Sequence, residues 1–247
     1  MINDIIKLAR EAGAKIMEIY ATDFEVYTKD DKSPLTEADQ AANAIICAGL
    51  QELTPNIPIL SEENKTIDYA DRKDWTQMWV VDPIDGTKEF IKKNGEFTVN
   101  IALVERGIPI AGVVYAPAID DLYWADETGA YKNGDKLPLT TNNTPEKALT
   151  IVASRSHMSQ ETQDYVDSLK AGTESIELTS VGSSLKLCYV AEGKADQYPR
   201  LAPTMEWDTA AAHAVALQAG KEVLDFKTRK PLQYNKENLL NPWFLVK

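Results

Sequence analysis

The chain has 247 residues, of which 44% are hydrophobic and 26% are charged, a composition typical of globular proteins and not of disordered, fibrous or disulfide-rich chains. This length fits either one compact unit or two closely packed halves. The 38 Asp and Glu residues outnumber the 26 Lys and Arg residues and give a net charge of −12, which disfavours binding of a nucleic-acid polymer through a basic face. A small anionic substrate would need bound cations or a local positive pocket.

The sequence shows no targeting signal and no disulfide pattern. Its apolar runs stay well short of the roughly 20 residues that a transmembrane segment needs, and residues 1–20 lack the basic and long apolar regions of a signal peptide. We therefore expect a cytoplasmic protein. Cys47 and Cys188 lie far apart in apolar segments, and we expect two reduced core residues.

Two amphipathic helices are predicted at the start of the chain. The first is indicated by apolar residues at helical spacing, namely Ile5, Leu8, Ala9, Ala12, Ile16 and Ile19. The second begins after Thr36, the predicted N-cap, with Asp39 three residues later as its capping-box partner. Its predicted buried stripe consists of Ala42, Ile45, Ile46, Leu50 and Leu53.

An antiparallel meander is predicted next, because short runs rich in β-branched and aromatic residues alternate with turn residues. The β signals begin at 57–60 and 79–81, and the meander is built from the runs 97–104, 110–115, 122–124 and 130–131. Arg106-Gly107 and Asn133-Gly134 are the predicted tight turns. The first half of the chain is therefore predicted to be α+β.

A polar tract at 140–147 marks the predicted boundary, which divides the chain into residues 1–145 and 146–247. Strands and helices alternate beyond it. The predicted strands are 149–154, 176–179, 196–198 and 222–226, and the predicted helices are 160–169, 183–192 and 209–219.

The most informative segment is 79–90, Trp-Val-Val-Asp-Pro-Ile-Asp-Gly-Thr-Lys-Glu-Phe, in which a buried strand ends at Asp82 and Asp85. Pro83 fixes the local backbone and Gly86 permits a sharp turn, so the two carboxylates are predicted to converge. Mg²⁺ prefers carboxylate, carbonyl and water oxygens in octahedral geometry, so further acidic ligands are expected elsewhere in the chain.

Two more acidic segments lie at the ends of predicted elements. Glu62 and Glu63 follow the run 57–60, and Asp208 precedes an alanine-rich helix. Taken singly, each has an ordinary explanation: a solvated pair for Glu62-Glu63, and a helix cap for Asp208 or Asp39. A capping role for Asp39 is compatible with a catalytic one, because a carboxylate is favoured at a helix start.

Three motifs, taken in chain order, resemble those of the inositol monophosphatase superfamily. They are Glu-Glu after a strand, Asp-Pro-Ile-Asp-Gly-Thr, and Trp-Asp before an alanine-rich helix. The one departure, Lys221 after Gly220, lies beyond the motifs. The resemblance implies an α+β and α/β layered sandwich (αβαβα) of the inositol monophosphatase and fructose-1,6-bisphosphatase type. Residues 1–145 would form the metal-binding half, and residues 146–247 would complete a nucleotide site.

The residues after Asp-Gly-Thr separate branches of this superfamily. Inositol monophosphatases typically continue with Thr-Asn-Phe, whereas Lys88-Glu89-Phe90 looks like the 3′(2′),5′-bisphosphate nucleotidases of the CysQ type. The likeness also covers 32–36, 112–117, 154–157, 180–186 and 198–200. It implies hydrolysis of adenosine 3′,5′-bisphosphate (PAP) to AMP and phosphate, and of the sulfated nucleotide PAPS to APS, in sulfur assimilation.

The resemblance also implies a metal site of two or more Mg²⁺ ions, with Asp82 as the bridging ligand. Its ligands would be Glu62, Asp82, the Ile84 carbonyl, Asp85 and Asp208. Paired metals roughly 3.5 to 4 Å apart can activate a water and stabilise the leaving oxygen. Thr87 would bond the attacking water and Asp39 would accept the threonine proton. The N–H groups of Gly86 and Thr87 would face the phosphate.

A bisphosphate nucleotide needs a second anion site, and several basic and polar residues match family positions that line the nucleotide pocket. They are His157, Ser183, Lys186 and Arg200. The substrate-binding set that the resemblance implies adds Glu62, Ile84, Asp85, Gly86, Thr87 and Asp208. Singly, Lys186 also fits a solvated helix residue, His157 a loop residue and Arg200 an ion-pair partner. His213, in the alanine-rich helix, is expected to be a packed core residue.

Two other functions stay open on the sequence. Inositol monophosphate or another sugar phosphate is an alternative substrate, because fold and metals do not select the substrate. A non-catalytic metal- or nucleotide-binding protein is the alternative outside enzymes. The resemblance further implies inhibition by lithium and by excess calcium, and it leaves open a homodimer and peripheral attachment to the cytoplasmic face of the inner membrane.

Overall fold

The computed structural model describes residues 1–28, 34–64, 67–139, 148–153 and 158–247. Its α-helices are α1 (Ile2–Tyr20), α2 (Glu37–Leu53), α3 (Tyr69–Arg72), α4 (Thr87–Ile91), α5 (Gln160–Leu169), α6 (Leu185–Glu192) and α7 (Ala210–Gln218). Short 3₁₀ turns lie at Glu62–Asn64 and Lys170–Gly172. Its strands are β1 (Val26–Thr28), β2 (Pro34–Thr36), β3 (Ile59–Ser61), β4 (Gln77–Asp85), β5 (Thr98–Glu105), β6 (Ile108–Ala116), β7 (Asp121–Asp126), β8 (Gly129–Lys132), β9 (Asp135–Lys136), β10 (Leu149–Val152), β11 (Ile176–Thr179), β12 (Tyr198–Arg200), β13 (Val223–Asp225) and β14 (Phe244–Val246).

The larger sheet has seven strands in the order β3-β4-β5-β6-β7-β8-β9. β3 runs parallel to β4, and every later neighbour pair is antiparallel. The predicted meander is therefore confirmed. The pairing of β4 with β5 shifts register between Asp82 and Asp85, so the end of β4 departs from the regular sheet at the acidic motif.

Both faces of this sheet are buried, and successive side chains of β4 pack alternately into the two hydrophobic clusters that cover them. Trp79 and Val81 pack in one hydrophobic cluster with α1 and α2, whereas Met78 and Val80 pack in a second cluster with α6 and α7. Successive side chains of a strand point to opposite faces, so a nearly continuous apolar run fits a strand covered on both sides. The helices of the two halves thus enclose the sheet.

The second half contains a smaller sheet in the order β12-β14-β13. The parallel pair β10-β11 lies beside it, and a bridge between Ile151 and Gln197 links the two. The Tyr165 ring of α5 packs against Phe226 at 5.3 Å, and α6 and α7 separate the smaller sheet from the larger one. The layers therefore follow the predicted αβαβα order, and the fold class is confirmed.

Several local predictions differ from the structure. Leu53, expected in the buried stripe of α2, is 41% exposed, because it is the last residue of the helix. The predicted strand 196–198 begins instead at Tyr198, since Asp196 uses its carboxylate to accept the Thr150 N–H at 2.7 Å. The pair β1-β2 and strand β14 were not predicted. The predicted boundary between residues 145 and 146 lies outside the described residues.

Both cysteines are free thiols, as predicted. Cys188 is buried in the core, but the prediction of a core position was wrong for Cys47, which is partly exposed on α2. In the described ranges no helix combines the length and the apolar character that crossing a membrane requires.

Candidate active site

Three acidic side chains from two distant parts of the chain converge beside the end of β4. Asp82, Asp85 and Asp208 each offer a carboxylate oxygen, and these oxygens all lie within 4.8 Å of one another. Asp82 is fully buried and the other two are partly buried. The fold thus brings Asp208, more than 120 residues away in sequence, to the two carboxylates of the Asp-Pro-Ile-Asp motif.

The first two carboxylates are positioned by the turn that ends β4. The Ile84 N–H donates to Asp82 Oδ1 at 3.0 Å, which folds the Asp-Pro-Ile segment back on itself. Gly86 follows with φ 92°, a left-handed conformation that favours glycine, and a Cβ there would overlap the Ser183 hydroxyl. Glycine is therefore required at this turn both by the left-handed backbone conformation and by the lack of space for a side chain.

Asp208 is positioned by the loop that precedes α7. The Met205 N–H donates to Asp208 Oδ2 at 2.9 Å, and the Asp208 N–H donates back to the Met205 carbonyl at 3.2 Å. This pair of bonds closes a compact turn and aims the carboxylate at β4. Trp207 is buried beside it and fixes the loop against the core.

The electrostatics of the three acids favour a bound cation. Burial is the largest cause raising the pKa of each, and it brings Asp85 to about 6 and Asp208 to about 8. The pKa of Asp82 is raised well above its ordinary value by burial and then by Glu62. The Glu62 charge raises all three pKa values, so this fourth acid acts on the same cluster. Gathered anions are costly without a compensating charge.

The donor chemistry fits Mg²⁺. The converging side chains supply only carboxylate oxygens, which this hard cation prefers over nitrogen or sulfur. The Ile84 carbonyl lies at the same turn, 3.3 Å from the Thr87 hydroxyl. Glu62 begins the 3₁₀ turn directly after β3, the parallel neighbour of β4. All five predicted metal ligands therefore belong to this one corner of the fold.

The predicted catalytic pair is in place beside the cluster. Asp39 is 2% exposed, and its Oδ2 accepts the Thr36 N–H at 2.8 Å and the Thr36 hydroxyl at 2.6 Å. Its other oxygen, Oδ1, lies 3.4 Å from the Thr87 hydroxyl. The capping box at the start of α2 thus orients a carboxylate toward Thr87, and both predicted roles of Asp39 are geometrically compatible.

A cleft of about 910 Å³, measured with the solvent-open space, begins at the acidic cluster. Asp85, Gly86 and Asp208 line it together with Ser183, Lys186 and Arg200. The cleft is therefore acidic at one end and carries basic side chains elsewhere on its wall. Six of the predicted substrate-binding residues share this single cavity.

Lys186 is the most unusual residue of the cleft because its side chain is only 7% exposed. Its ammonium donates to the Ser183 carbonyl at 2.8 Å and to the Val181 carbonyl at 3.3 Å. Burial lowers its pKa to about 8, and Asp85 counteracts the shift. A lysine has three donors, and two carbonyl acceptors leave one N–H for an anion in the cleft.

Arg200 carries a further donor that has no acceptor among the described residues. Its Nη2 donates to the Pro203 carbonyl at 3.0 Å. Its Nε is buried and has no hydrogen-bond partner in the described part of the chain. A buried unpaired donor is costly, and a guanidinium is well suited to phosphate oxygens.

Ser183 lies in the cleft wall, although its hydroxyl faces the protein. Its φ is 54°, and its Oγ lies 2.8 Å from the Asp85 carbonyl and 2.7 Å from the Glu96 carbonyl. Ser183 therefore ties the loop before α6 to the end of β4. His157 lies outside the described residues.

Two lysines and a tyrosine that had no role in the sequence-based site also line the cleft. Lys88 belongs to α4, Lys92 directly follows that helix as its C-cap, and Tyr198 belongs to β12. The signal for the two lysines was available, since residues four apart lie on one face of a helix. The Tyr198 ring lies 5.8 Å from the Lys186 ammonium, and burial raises its pKa to about 12. No pattern in the sequence points to that contact.

His213 is a core residue, as predicted. It is 1% exposed, and its Nδ1 lies 2.9 Å from the Tyr234 hydroxyl. Burial lowers its pKa to about 3, so the ring is neutral.

Comparisons with known proteins agree with this geometry. The family model for the inositol monophosphatase family matches residues 1–243. The chain is 48% identical over 249 residues to the 3′(2′),5′-bisphosphate nucleotidase CysQ of Escherichia coli O157:H7, covering 100% of this chain and 99% of that protein. The crystal structure of CysQ from Bacteroides thetaiotaomicron superposes with a TM-score of 0.89 at 48% identity, covering 100% of this chain and 96% of the other.

A more distant structure shares the same fold. The Thermotoga maritima IMPase superposes with a TM-score of 0.77 at 28% identity, covering 98% of this chain and 89% of the other. The match of the family model, the full-length identity and the superpositions are mutually consistent. The chain belongs to the inositol monophosphatase family.

Proposed function

We propose that the chain is a magnesium-dependent 3′(2′),5′-bisphosphate nucleotidase that hydrolyses PAP to AMP and phosphate, and PAPS to APS, in sulfur assimilation. The observation that carries the proposal is the cleft that joins the acidic cluster to Lys186 and Arg200. A substrate with two anionic groups needs both ends of such a cleft. Full-length relatives named as CysQ nucleotidases support the same activity.

The acidic end serves the scissile phosphate. Asp82, Asp85 and Asp208, with Glu62 and the Ile84 carbonyl, would hold two or more Mg²⁺ ions. When bound, paired Mg²⁺ ions would polarise the phosphate and lower the pKa of the attacking water. The carboxylates must be ionised to bind, so their raised pKa values oppose binding at low pH.

Thr87 and Asp39 would orient the attacking water. The Thr87 hydroxyl donates its hydrogen to Asp39 Oδ1. The lone pairs of the Thr87 oxygen can then accept a hydrogen bond from the water. Asp39 stays fixed because Thr36 occupies its other oxygen. Proton movement from water toward the Thr87–Asp39 pair is the general-base step of the proposal.

The basic part of the cleft serves the second phosphate and the nucleoside. Lys186 has one N–H left for an anion, and the Nε of Arg200 lacks a partner among the described residues. A phosphate in the cleft would be attracted by the positive charges of both side chains. His157 and Ser183 stay assigned to this pocket by resemblance.

Phosphate release from PAP and from inositol 1-phosphate, each with Mg²⁺ and with EDTA, tests the function. We expect rapid Mg²⁺-dependent release from PAP and much lower kcat/KM for inositol 1-phosphate, which lacks the second anion. A preference for inositol 1-phosphate would instead favour the sugar-phosphate alternative. The non-catalytic alternative requires that neither compound is hydrolysed although Mg²⁺ or PAP binds.

A further inference from the structure

The loop that carries Asp208 is held by a distant segment near the end of the chain. We call residues 204–209 the Asp208 loop, and residues 234–241 the tail clamp. The Asn241 N–H donates to the Thr204 carbonyl at 2.8 Å. The N–H of that same peptide unit belongs to Met205 and donates to Asp208 Oδ2 at 2.9 Å. One peptide unit thus connects Asn241 directly to the Asp208 carboxylate.

The Asn241 side chain makes a second connection to the same loop. Its Nδ2 lies 2.8 Å from the Met205 carbonyl, which also accepts the Asp208 N–H. The same Nδ2 lies 3.0 Å from the Thr209 hydroxyl, at the residue that follows Asp208. Asn241 is 5% exposed, so water does not compete for these bonds.

Tyr234 fixes the loop from its other end. Its hydroxyl donates to Thr209 Oγ1 at 3.1 Å and lies 2.9 Å from His213 Nδ1. Thr209 in turn donates to the Glu206 carbonyl at 3.2 Å. With the His213 proton on Nδ1, these groups form one directional chain of donors that ends on the Asp208 loop.

The tail clamp is itself anchored by buried charge. Glu206 is fully buried, and its carboxylate accepts the Asn235 N–H at 2.7 Å and the Lys236 N–H at 3.0 Å. The Arg72 guanidinium of α3 donates to Asn235 Oδ1 at 2.9 Å and to the Lys236 carbonyl at 2.7 Å. Tail clamp, Asp208 loop and α3 therefore form a single hydrogen-bonded body.

Asp82 and Asp208 depend on the fold in different ways. Asp82 stands on β4, which is paired on both sides, and is oriented by the N–H of Ile84, two residues away. Asp208 stands on a loop, and its orientation depends on residues 26 to 33 positions further along the chain. Groups that orient a metal ligand typically contribute about 10- to 100-fold in metal affinity or activity.

We propose that Asn241 and Tyr234 are positioning residues that set the Asp208 carboxylate for metal binding. This inference rests on the proposed function, which makes Asp208 a Mg²⁺ ligand. Neither residue lines the cleft, and both act through the backbone and hydroxyl groups of the Asp208 loop.

The test uses Asn241→Ala, which removes the side-chain amide, and Tyr234→Phe, which removes only a hydroxyl. The matched control is Tyr123→Phe, which deletes a buried hydroxyl bonded to Glu192 at 2.6 Å, outside the cleft lining. Mg²⁺ affinity is read from the rise in melting temperature of the substrate-free protein with Mg²⁺ concentration. kcat and KM for PAP are measured in parallel.

We expect about 10- to 100-fold weaker Mg²⁺ affinity in Asn241→Ala and a smaller loss in Tyr234→Phe, each with reduced kcat at saturating PAP. Tyr123→Phe should lower the Mg²⁺-free melting temperature yet keep the wild-type Mg²⁺ affinity. Should Asn241→Ala fail to fold, Tyr234→Phe decides the question. If a folded Asn241→Ala or Tyr234→Phe variant keeps the wild-type Mg²⁺ affinity, the positioning role is wrong but the proposed metal site is unaffected. If the melting temperature of the wild-type protein does not respond to Mg²⁺ at all, both the positioning role and the metal site are wrong.

Discussion

The two oxygens of Asp39 have different partners, and this division lets one side chain serve both the fold and the site. Oδ2 closes the capping box with Thr36, and Oδ1 lies toward Thr87. A capping carboxylate has little freedom to rotate, because both donors of Thr36 bind the same oxygen. Thr87 therefore meets an acceptor whose position is set by the start of α2.

Thr87→Ala should lower kcat for PAP by about 100-fold or more, because the variant lacks the hydroxyl that we propose orients the attacking water. The melting temperature should change little, since both hydrogen bonds of the hydroxyl are long, at 3.3 and 3.4 Å. Thr87→Ser, which keeps a hydroxyl, is the control and should retain most activity. Near wild-type kcat in Thr87→Ala would remove Thr87 from the catalytic set.

Lys186→Met should raise KM for PAP far more than KM for inositol 1-phosphate, because only PAP presents a second phosphate to the buried ammonium. The comparison of two substrates on one variant controls for any general distortion of the cleft. Steady-state kinetics at saturating Mg²⁺ provide both values. An equal loss on the two substrates would mean that Lys186 supports the cleft rather than the second anion.

At this scale the sequence predicted some contacts and not others. The capping box follows from the Thr-x-x-Asp spacing alone. The contact between Asp39 and Thr87 spans 48 residues, and only family resemblance suggested it. The inward-facing hydroxyl of Ser183 depends on a positive φ and on two carbonyls from distant segments, which local sequence does not encode.

Among the elements, the turn from β4 into α4 has the strictest conformational requirement. Gly86 combines φ 92° with direct contact to the Ser183 hydroxyl. A side chain there would strain the backbone and also push β4 away from the loop before α6. The two walls of the cleft meet at this point, so their spacing depends on a residue without a side chain.

Gly86→Ala should both destabilise the protein and abolish most phosphate release. Gly134→Ala is a matched control, because Gly134 has a similar φ of 96° but no atom within 4 Å of an added Cβ. The control measures the backbone strain alone, on the order of 1 kcal/mol or more. The steric part is the additional loss of melting temperature and kcat in Gly86→Ala, and equal behaviour of the two variants would argue against it.

Elements with strong local periodicity were predicted closely. The bounds of α5 and β11 match the predicted 160–169 and 176–179. β14 was missed because three consecutive buried residues show no alternation, and its pairing with β12 and β13 joins segments far apart in sequence. The tail clamp was missed for a similar reason, since the hydrogen-bond partners of its asparagine and tyrosine side chains lie far away in sequence.

For the whole molecule, the acidic cluster couples stability to pH. The folded-state pKa values of Asp85 and Asp208, about 6 and about 8, exceed the ordinary value of 3.8. The native state therefore holds protons that the unfolded chain has already lost. The resulting stability is present at acid pH and is lost as pH rises through about 6 and then about 8.

We therefore predict that the melting temperature in EDTA falls as pH rises from about 6 to above 8, and that saturating Mg²⁺ reduces this fall. In the proposed site Mg²⁺ would bind the ionised carboxylates, so its affinity should increase over the same interval. Thermal unfolding with EDTA and with Mg²⁺ across this range provides the measurement.

Asp208→Asn is the control for this prediction. It removes one of the crowded charges, so its melting temperature in EDTA should depend less on pH, and its gain from Mg²⁺ should be small. Parallel pH profiles in EDTA and Mg²⁺ for the wild-type protein would contradict the electrostatic account of the cluster.

The position of β14 also has a consequence for the order of assembly during synthesis. The seven-stranded sheet uses residues 59–136, whereas β14, at Phe244–Val246, lies between the other two strands of the smaller sheet. A growing chain can therefore build its first layers well before the central strand of the second sheet emerges from the ribosome. Until then β12 and β13 lack their shared neighbour, so the nascent chain should become competent for catalysis only after Val246 has emerged.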